Sequence, residues 1–271
     1  MNEELLELRD LALHIAREVA AIPADAQPRV HDARTVATST KSTPLDLVTE
    51  LDEATERAIV QRIAAARPAD GVLAEEGGAA PSSSGYTWVI DPIDGTVNYF
   101  FGHASWAISL GIRDASGQDV VGVVHAPALG ETVVAARGHG AHLVVGETWT
   151  RLTPPPDTDL GEALLATGFS YDPQKRIIMA TVLAELLPRI RDVRRIGAAS
   201  LDIVAVALGR ISGYYERDLK PWDLSAASVI AREVGLTVTG KHGAAAGNEL
   251  TIVAPPGLAR VLHDEIVRLW P

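Results

Sequence analysis

The stretch W-V-I-D-P-I-D-G-T, residues 88–96, is a short apolar strand signal that runs directly into two aspartates. Its proline fixes φ, so Asp91 and Asp94 are presented on a stiff segment. Mg²⁺ prefers oxygen ligands, typically a few carboxylates with water and substrate phosphate. The N–H groups of Gly95 and Thr96 can cup a phosphate at a helix start. The stretch predicts a metal and phosphate site, but these are also ordinary turn residues, and for the stretch alone the two interpretations are equally weighted.

Three further acidic residues are candidates for the same site, and each has an ordinary interpretation. Glu75 follows an apolar strand signal and opens an E-E-G-G turn, which by itself favours a solvated turn. Asp223 opens a helix, where an aspartate is usually a cap. Asp46 lies between Leu45 and Leu47, and a carboxylate in apolar surroundings needs a partner or a metal. Taken singly, Glu75 and Asp223 favour the ordinary interpretation over a metal site. For Asp46 neither interpretation is favoured.

Composition narrows the class of function. The chain has 271 residues and a formal net charge of −11, from 24 basic and 35 acidic side chains. Nucleic acid is therefore not an expected partner, because it requires a basic surface. The absence of cysteine excludes disulfides, thiolate zinc sites and cysteine nucleophiles. Neither a signal peptide nor an apolar run of about 18 residues is present, so we expect a cytoplasmic protein without membrane contact.

Periodicity divides the chain into two predicted domains. Residues 1–150 show two helical periods and then period-two strands separated by short turns, which predicts a helix pair plus an antiparallel meander carrying the metal motif. Prolines at 154–156 mark a boundary. In residues 157–271 strands and helices alternate, which predicts an α/β half carrying the substrate loops and Asp223. The fold class is α+β; we expect the first helix to end at Pro23 and the strand before Asp91 to end there.

In combination these motifs resemble the inositol monophosphatase family. The order is E-E at 75–76, W-V-I-D-P-I-D-G-T-V-N-Y at 88–99, Y-Y-E at 214–216 and W-D at 222–223, and it runs along nearly the whole chain. The D-P-I-D-G-T core and the W-D segment are its specific elements, and L-K-P-W-D at 219–223 is similar to the actinobacterial branch. The resemblance implies an αβαβα layered sandwich and a homodimer that lithium inhibits.

The resemblance also assigns roles to residues. The ligands of two to three Mg²⁺ ions would be Glu75, Asp91, the Ile93 carbonyl, Asp94 and Asp223. The catalytic residues would be Asp46 and Thr96, which orient the attacking water, and Glu75 of the metal site. The phosphate would be held by Gly95 and Thr96. The pocket for the alcohol would be lined by Asp94, Gly197, Ala199, Glu216 and Asp223.

The implied reaction is Mg²⁺-dependent hydrolysis of inositol-1-phosphate to inositol and phosphate by direct attack of metal-activated water. A related phosphatase acting on histidinol phosphate, fructose 1,6-bisphosphate, NADP or a nucleotide 3′-phosphate would share the metal motif, so these substrates stay open. A non-catalytic interaction protein that retains the fold is a third alternative, against which the complete ligand set argues. The chain departs from the family at Ala74, Ala104, Ala198 and Ser228. None is a proposed ligand, but Ala198 replaces a common Ser or Thr and leaves the exact substrate open.

Overall fold

The computed structural model describes residues 3–30, 38–40 and 47–270. The helices there are α1 (Glu3–Val19), α2 (Ala21–Val30), α3 (Glu50–Ala66), α4 (Thr96–Phe100), α5 (Pro173–Leu186), α6 (Ala199–Ala207), α7 (Pro221–Glu233) and α8 (Pro256–Leu269). Among these helices none is both long enough and apolar enough to cross a bilayer.

The strands form three sheets. They are β1 (Thr38–Thr40), β2 (Leu47–Thr49), β3 (Gly71–Ala74), β4 (Gly78–Ala80), β5 (Thr87–Asp94), β6 (Ala107–Arg113), β7 (Asp119–Ala126), β8 (Glu131–Ala136), β9 (Gly140–Val145), β10 (Thr148–Arg151), β11 (Leu164–Thr167), β12 (Asp192–Arg194), β13 (Gly213–Glu216), β14 (Thr237–Thr239) and β15 (Thr251–Ala254). β1 and β2 pair with each other, β3 to β10 form a sheet of eight strands, and β11 to β15 form a sheet of five.

The eight-stranded sheet contains the predicted antiparallel meander, which runs from β5 to β9 without a crossover, and β10, which was not predicted, extends it. Its other end was not predicted: β3 lies parallel to β5, and the short, exposed β4 completes the edge. The helix α3 leads into β3. Because β3 and β5 are parallel, the loops that follow these two strands leave the sheet at the same end of the strands. This parallel pair is what brings the site together.

Five layers enclose three apolar cores, because the second core surrounds the middle helical layer. The first lies between α1, α3 and one face of the large sheet, and it contains Ile15 and Ile59. The second lies between the other face of that sheet and the small sheet and contains α6 and α7, with Val206 and Ile230 buried. The third lies between the small sheet and α5 and α8, around Leu262. The layer order is therefore αβαβα, and the α+β fold is confirmed. The division into domains at 150 and 157 stays a prediction.

Helix α7 lies directly on the large sheet because two strand glycines make room for it. A side-chain carbon on Gly122 would overlap the Ala226 carbonyl oxygen and lie 2.8 Å from its carbon. On Gly111 it would lie 2.6 Å from the Ser225 Cβ. This close approach sets the height of α7 above β6 and β7, and so the position of the aspartate in its first turn.

Two predicted boundaries are wrong. The first helix ends at Val19, and Pro23 lies instead in the first turn of α2. A helix's first turn has no intrahelical partner for its N–H groups, so a proline is tolerated there. The strand before Asp91 does not end there either, because β5 continues to Asp94.

Candidate active site

Glu75 and Asp91 meet because their strands are parallel neighbours. Ala74 is in register with Ile90, and the Glu75 N–H donates to the Ile90 carbonyl at 3.2 Å. The next residues, Glu75 and Asp91, therefore lie side by side at the same end of the two strands. The charge of Glu75 is one of the causes that raise the pKa of Asp91, after burial.

A bulge in β5 turns Asp91 and Asp94 to the same side. Asp91 is opposite Ser109 and Asp94 is opposite Ala107, so two residues of β5 face one of β6. In a regular strand residues three apart point to opposite faces, and one extra residue reverses that. The bulge begins at Pro92, which has no N–H to give to the ladder. The Asp91 Oδ1 accepts the Ile93 N–H at 3.1 Å, which stabilises the turn.

Asp223 reaches the same place from the first turn of α7. Its Oδ2 accepts the Lys220 N–H at 2.6 Å, so the ordinary capping role is real. Its carboxylate also lies beside the bulge: ligand oxygens of Asp91, Asp94 and Asp223 are all within 4.8 Å of one another. Several carboxylate oxygens at this spacing are a suitable ligand set for a hard divalent cation such as Mg²⁺.

Asp94 joins the acidic cluster of Asp91, Asp94 and Asp223 to α6. That helix is preceded by Ala198, whose side chain cannot cap it. Asp94 caps it instead: Oδ1 accepts the Ala199 N–H at 3.1 Å, and Oδ2 accepts the Ser200 N–H at 2.7 Å and the Ser200 hydroxyl at 2.5 Å. Asp94 is thus held in place by the helix whose first residue, Ala199, was predicted to line the substrate pocket.

The carboxylates of the cluster are buried and repel one another. Burial raises the pKa of Asp91 well above its usual value, and the charges of Glu75, Asp94 and Asp223 add to the effect. Burial also raises the pKa of Asp94, against the lowering effect of its hydrogen bonds from Ser200 and Ala199. The pKa of Asp223 rises to about 8, mainly through burial and then through Asp94. Buried carboxylates that repel one another need a proton or a cation. The residues present therefore fit a divalent metal.

The raised pKa values predict how the metal-free protein depends on pH. An acid whose pKa is higher in the folded than in the unfolded state binds its proton more tightly when folded, so its contribution to stability is present at low pH and lost as pH rises. We expect the melting temperature in EDTA to fall between pH 6 and pH 9, through the pKa of about 8 at Asp223. The gain on adding Mg²⁺ should be largest at pH 9, because protons no longer compete. Differential scanning calorimetry measures both; a metal-free melting temperature that rises over this range would contradict the prediction.

The segment after Asp94 is in contact with the loop that contains Gly197. Gly95 has φ 90°, and a side-chain carbon on it would lie 3.0 Å from the Ala198 Cβ. The Asn98 Nδ2 donates to the Ile196 carbonyl at 2.8 Å and to the Ser105 carbonyl at 2.7 Å. The D-P-I-D-G-T-V-N segment therefore contacts the loop that contains Gly197 and also supplies Asp91 and Asp94 of the acidic cluster.

Glu216 ends β13 and is closely surrounded. The Tyr214 hydroxyl donates to its Oε2 at 2.7 Å. A side-chain carbon on Gly168 would overlap its carboxylate, so this glycine is required for the observed position. Burial raises the pKa of Glu216 to about 8, the Tyr214 hydrogen bond lowers it, and the charge of Asp202 raises it further. The Tyr214 hydroxyl and the close approach of Gly168 thus fix the position of the Glu216 carboxyl group.

The structure thus brings together Glu75, Asp91, Asp94 and Asp223, with the Ile93 carbonyl accepting the Thr96 hydroxyl at 3.0 Å. Gly95, Gly197, Ala199 and Glu216 surround the cluster through the contacts above. Asp46 lies outside the described residues. Four residues that contact the site were not predicted: Asn98, Ser200, Asp202 and Tyr214. Asn98 and Tyr214 lie inside the motifs at 88–99 and 214–216, and Asp202 is the one acid in the apolar helix α6. Ser200 carries no comparable signal.

Comparison with known proteins agrees with this geometry. The family model described as the inositol monophosphatase family matches residues 4–270. The chain belongs to this family. An inositol-1-monophosphatase of Mycobacterium leprae is 40% identical over 239 residues, which cover 86% of the chain and 82% of the relative. The solved structure of Mycobacterium tuberculosis SuhB superposes with a TM-score of 0.82 at 36% identity, covering 97% of both chains.

Family membership, which the motifs predicted, is confirmed, and the protein is a phosphatase. A further relative carries a different description. A protein of Pasteurella multocida named as a Nus factor, SuhB, is 34% identical over 94% of the chain and 94% of its own length. Proteins of this sequence class therefore carry both enzymatic and transcription-related names.

Proposed function

We propose that the protein is a Mg²⁺-dependent phosphomonoesterase that hydrolyses inositol-1-phosphate to inositol and phosphate by direct attack of water. The convergence of Asp91, Asp94 and Asp223 within 4.8 Å supports the metal dependence most directly. Glu216 beside the cluster supports a polyol, because a carboxylate held by one hydrogen bond can accept another from a substrate hydroxyl. Two to three Mg²⁺ ions are proposed for the Glu75, Asp91, Ile93, Asp94 and Asp223 set.

The chain's own groups place the reactants. Bound Mg²⁺ supplies Lewis-acid charge that lowers the pKa of water and stabilises a leaving alkoxide. Thr96 directs its hydroxyl proton to the Ile93 carbonyl, so its oxygen lone pairs remain free to accept from water. The Gly95 and Thr96 N–H groups are proposed to bind the phosphate. Asp94, fixed by α6, holds the metal side rigid, and positioning of this kind is most of what phosphoryl transfer asks of a protein.

A substrate panel tests the proposal. Phosphate release is measured with inositol-1-phosphate, histidinol phosphate, fructose 1,6-bisphosphate, NADP and a nucleoside 3′-phosphate, each with Mg²⁺ and with EDTA. We expect the highest kcat/KM with inositol-1-phosphate and no release in EDTA. A higher kcat/KM with another ester would identify that ester as the preferred substrate. Turnover that persists in EDTA would contradict the proposed metal dependence. No turnover with any ester would favour the interaction-protein alternative.

Glu216→Gln should weaken binding of the polyol selectively. At pH 9, above the pKa of about 8 of Glu216, the amide keeps the shape of the side chain but loses the charge that strengthens hydrogen bonds from hydroxyls. We expect the KM for inositol-1-phosphate to rise about tenfold, a loss of about 1.4 kcal/mol, with little change for p-nitrophenyl phosphate, which has no hydroxyls. Glu147→Gln, the same change at an exposed position, is the control. Equal effects on both esters would contradict a role in polyol recognition.

The remaining expectations concern partners. We propose a homodimer that lithium inhibits, and large apolar side chains on and after α5 support an interface: Ile177 is 61% exposed and Leu187 is 47% exposed. Cytoplasmic location and the absence of nucleic acid and membrane partners stay predictions. The Nus factor name of the Pasteurella relative keeps the interaction-protein alternative relevant.

A further inference from the structure

One buried carboxylate near the site has no assigned role. Asp202 lies in α6 between Leu201 and Ile203 and is 1% exposed. Its side chain turns back toward the start of the helix. Oδ1 accepts the Ile196 N–H and Oδ2 accepts the Gly197 N–H, both at 3.3 Å. Both oxygens are thus directed at the segment 195–198, which we call the substrate loop.

The substrate loop is held from two sides. The Ile196 N–H is bound by Asp202, while the Ile196 carbonyl is bound by the Asn98 amide at 2.8 Å. The next residue, Gly197, has φ 90°, a conformation that costs other residues free energy. A side-chain carbon there would lie 2.9 Å from the Arg195 guanidinium and 3.0 Å from the Asn98 amide nitrogen. The loop therefore has one tight arrangement, and Asp202 supplies two of its hydrogen bonds.

Asp202 and Asp94 accept hydrogen bonds from different backbone N–H groups at the N-terminal end of α6. Asp94 takes the N–H groups of Ala199 and Ser200, whereas Asp202 takes those of Ile196 and Gly197. Only Asp94 belongs to the metal cluster. Loss of Asp202 should therefore loosen the loop and leave the metal ligands supported.

A carboxylate is a costly choice at this position. It is buried in an apolar helix, with Asp94 and Glu216 as like charges and Arg195 as the opposing one. An unpaired buried charge destabilises a fold, but a carboxylate that accepts backbone N–H groups makes stronger hydrogen bonds than a neutral side chain. The loop is thus stiffened at some cost in stability, a pattern expected where geometry serves binding.

We propose that Asp202 is a positioning residue that fixes the substrate loop and thereby sets the affinity for the alcohol part of the substrate, without taking part in metal binding. The nature of that alcohol rests on the proposed function. Asp202 would act through the Ile196 and Gly197 peptide groups and would not touch the reacting atoms.

Asp202→Asn tests the proposal, because the amide nitrogen would face a backbone N–H that also donates. We expect the KM for inositol-1-phosphate to rise about tenfold, with kcat and the Mg²⁺ concentration for half-maximal rate changed less than about threefold. Asp202→Glu, which keeps the charge, should recover part of the loss. The matched control is Asp157→Asn: Asp157 also accepts two backbone N–H groups, from Gly257 at 2.7 Å and Leu258 at 2.9 Å, at the start of α8.

Several results would overturn the proposal. One is an unchanged KM; others are a parallel loss of kcat, Mg²⁺ dependence and p-nitrophenyl phosphate turnover, or a variant that does not fold, since these indicate a purely structural role. If the wild-type enzyme prefers another ester, the proposed substrate fails, but the same KM-against-kcat comparison on the preferred ester still decides the role of Asp202.

Discussion

Asp91→Asn is expected to reduce Mg²⁺-dependent phosphate release by about a thousandfold or more, equivalent to about 4 kcal/mol of transition-state stabilisation, while the protein stays folded. Asp91 is buried at the centre of the cluster, with Glu75, Asp94 and Asp223 all acting on its pKa. An amide is a poorer ligand for Mg²⁺ and removes one negative charge from the set. Asp223→Asn should have the same effect, and its amide oxygen can still accept the Lys220 N–H that caps α7.

The same substitution should stabilise the metal-free protein. Two like charges 4 Å apart repel by about 1 kcal/mol in water and about 4 kcal/mol at an effective dielectric of 20. Asp91→Asn at pH 8 removes this repulsion, together with the cost of keeping a buried carboxyl protonated, and should raise the melting temperature in EDTA by several degrees, since 1 kcal/mol corresponds to about 2–4 °C in a chain of this size. The wild-type protein should in turn gain more from added Mg²⁺ than the variant does.

Phosphate release and calorimetry on the same samples check both parts. Asp114→Asn is the control: Asp114 also accepts backbone N–H groups, from Ser116 and Gln118, but in an exposed turn. Near-native turnover of Asp91→Asn at saturating Mg²⁺ would show that Asp91 is not a required metal ligand. A lower melting temperature in EDTA would show that repulsion among these carboxylates does not destabilise the metal-free protein, since the Asn oxygen can still accept the Ile93 N–H.

Gly122→Ala is expected to have the second-largest effect, although Gly122 is not among the active-site residues. The added methyl would overlap backbone atoms of Ala226, which cannot rotate away as a side chain could. Overpacking of this kind costs about 1–3 kcal/mol, or a few degrees to about 10 °C in melting temperature. Helix α7 must lift from the sheet, and Asp223 moves with it. Because a displacement of about 1 Å can cost about a hundredfold in rate, kcat/KM should fall by more than tenfold.

Two other glycines make this prediction specific. Gly111→Ala should have a similar effect: the Ser225 hydroxyl can rotate away, but the Ser225 Cβ, 2.6 Å from the added carbon, is fixed by the backbone of α7. Gly161→Ala is the matched control, since no atom lies within 4 Å of the added carbon. Calorimetry and kinetics on the three variants give the ranking. A Gly122→Ala protein with wild-type stability and rate would show that α7 does not need this close contact to place Asp223.

The meander and the layered fold were predictable because their signals are local or carried by motifs. Strict alternation from Trp106 to Ile112 predicts a strand, and the turns after it set the order of the meander. The parallel contact of β3 with β5 was not predictable in this way, because no local pattern states which distant strand pairs with which. The bulge after Asp91 was missed for a related reason: Pro92 suggests the end of a strand, whereas the ladder with β6 resumes at Asp94.

The residue types along the chain specify the kind of chemistry: the chain is acidic and cysteine-free, its D-P-I-D-G-T and W-D motifs offer oxygen ligands, and their order indicates the family. The position of the site depends on tertiary contacts. Register beside β3, one bulge in β5 and two glycines under α7 bring Glu75, Asp91, Asp94 and Asp223 together, and the back-turned Asp202 holds the substrate loop. Side-chain types are local properties of a sequence, but distances between carboxylates depend on contacts between segments up to 150 residues apart in the chain, for which no local pattern exists.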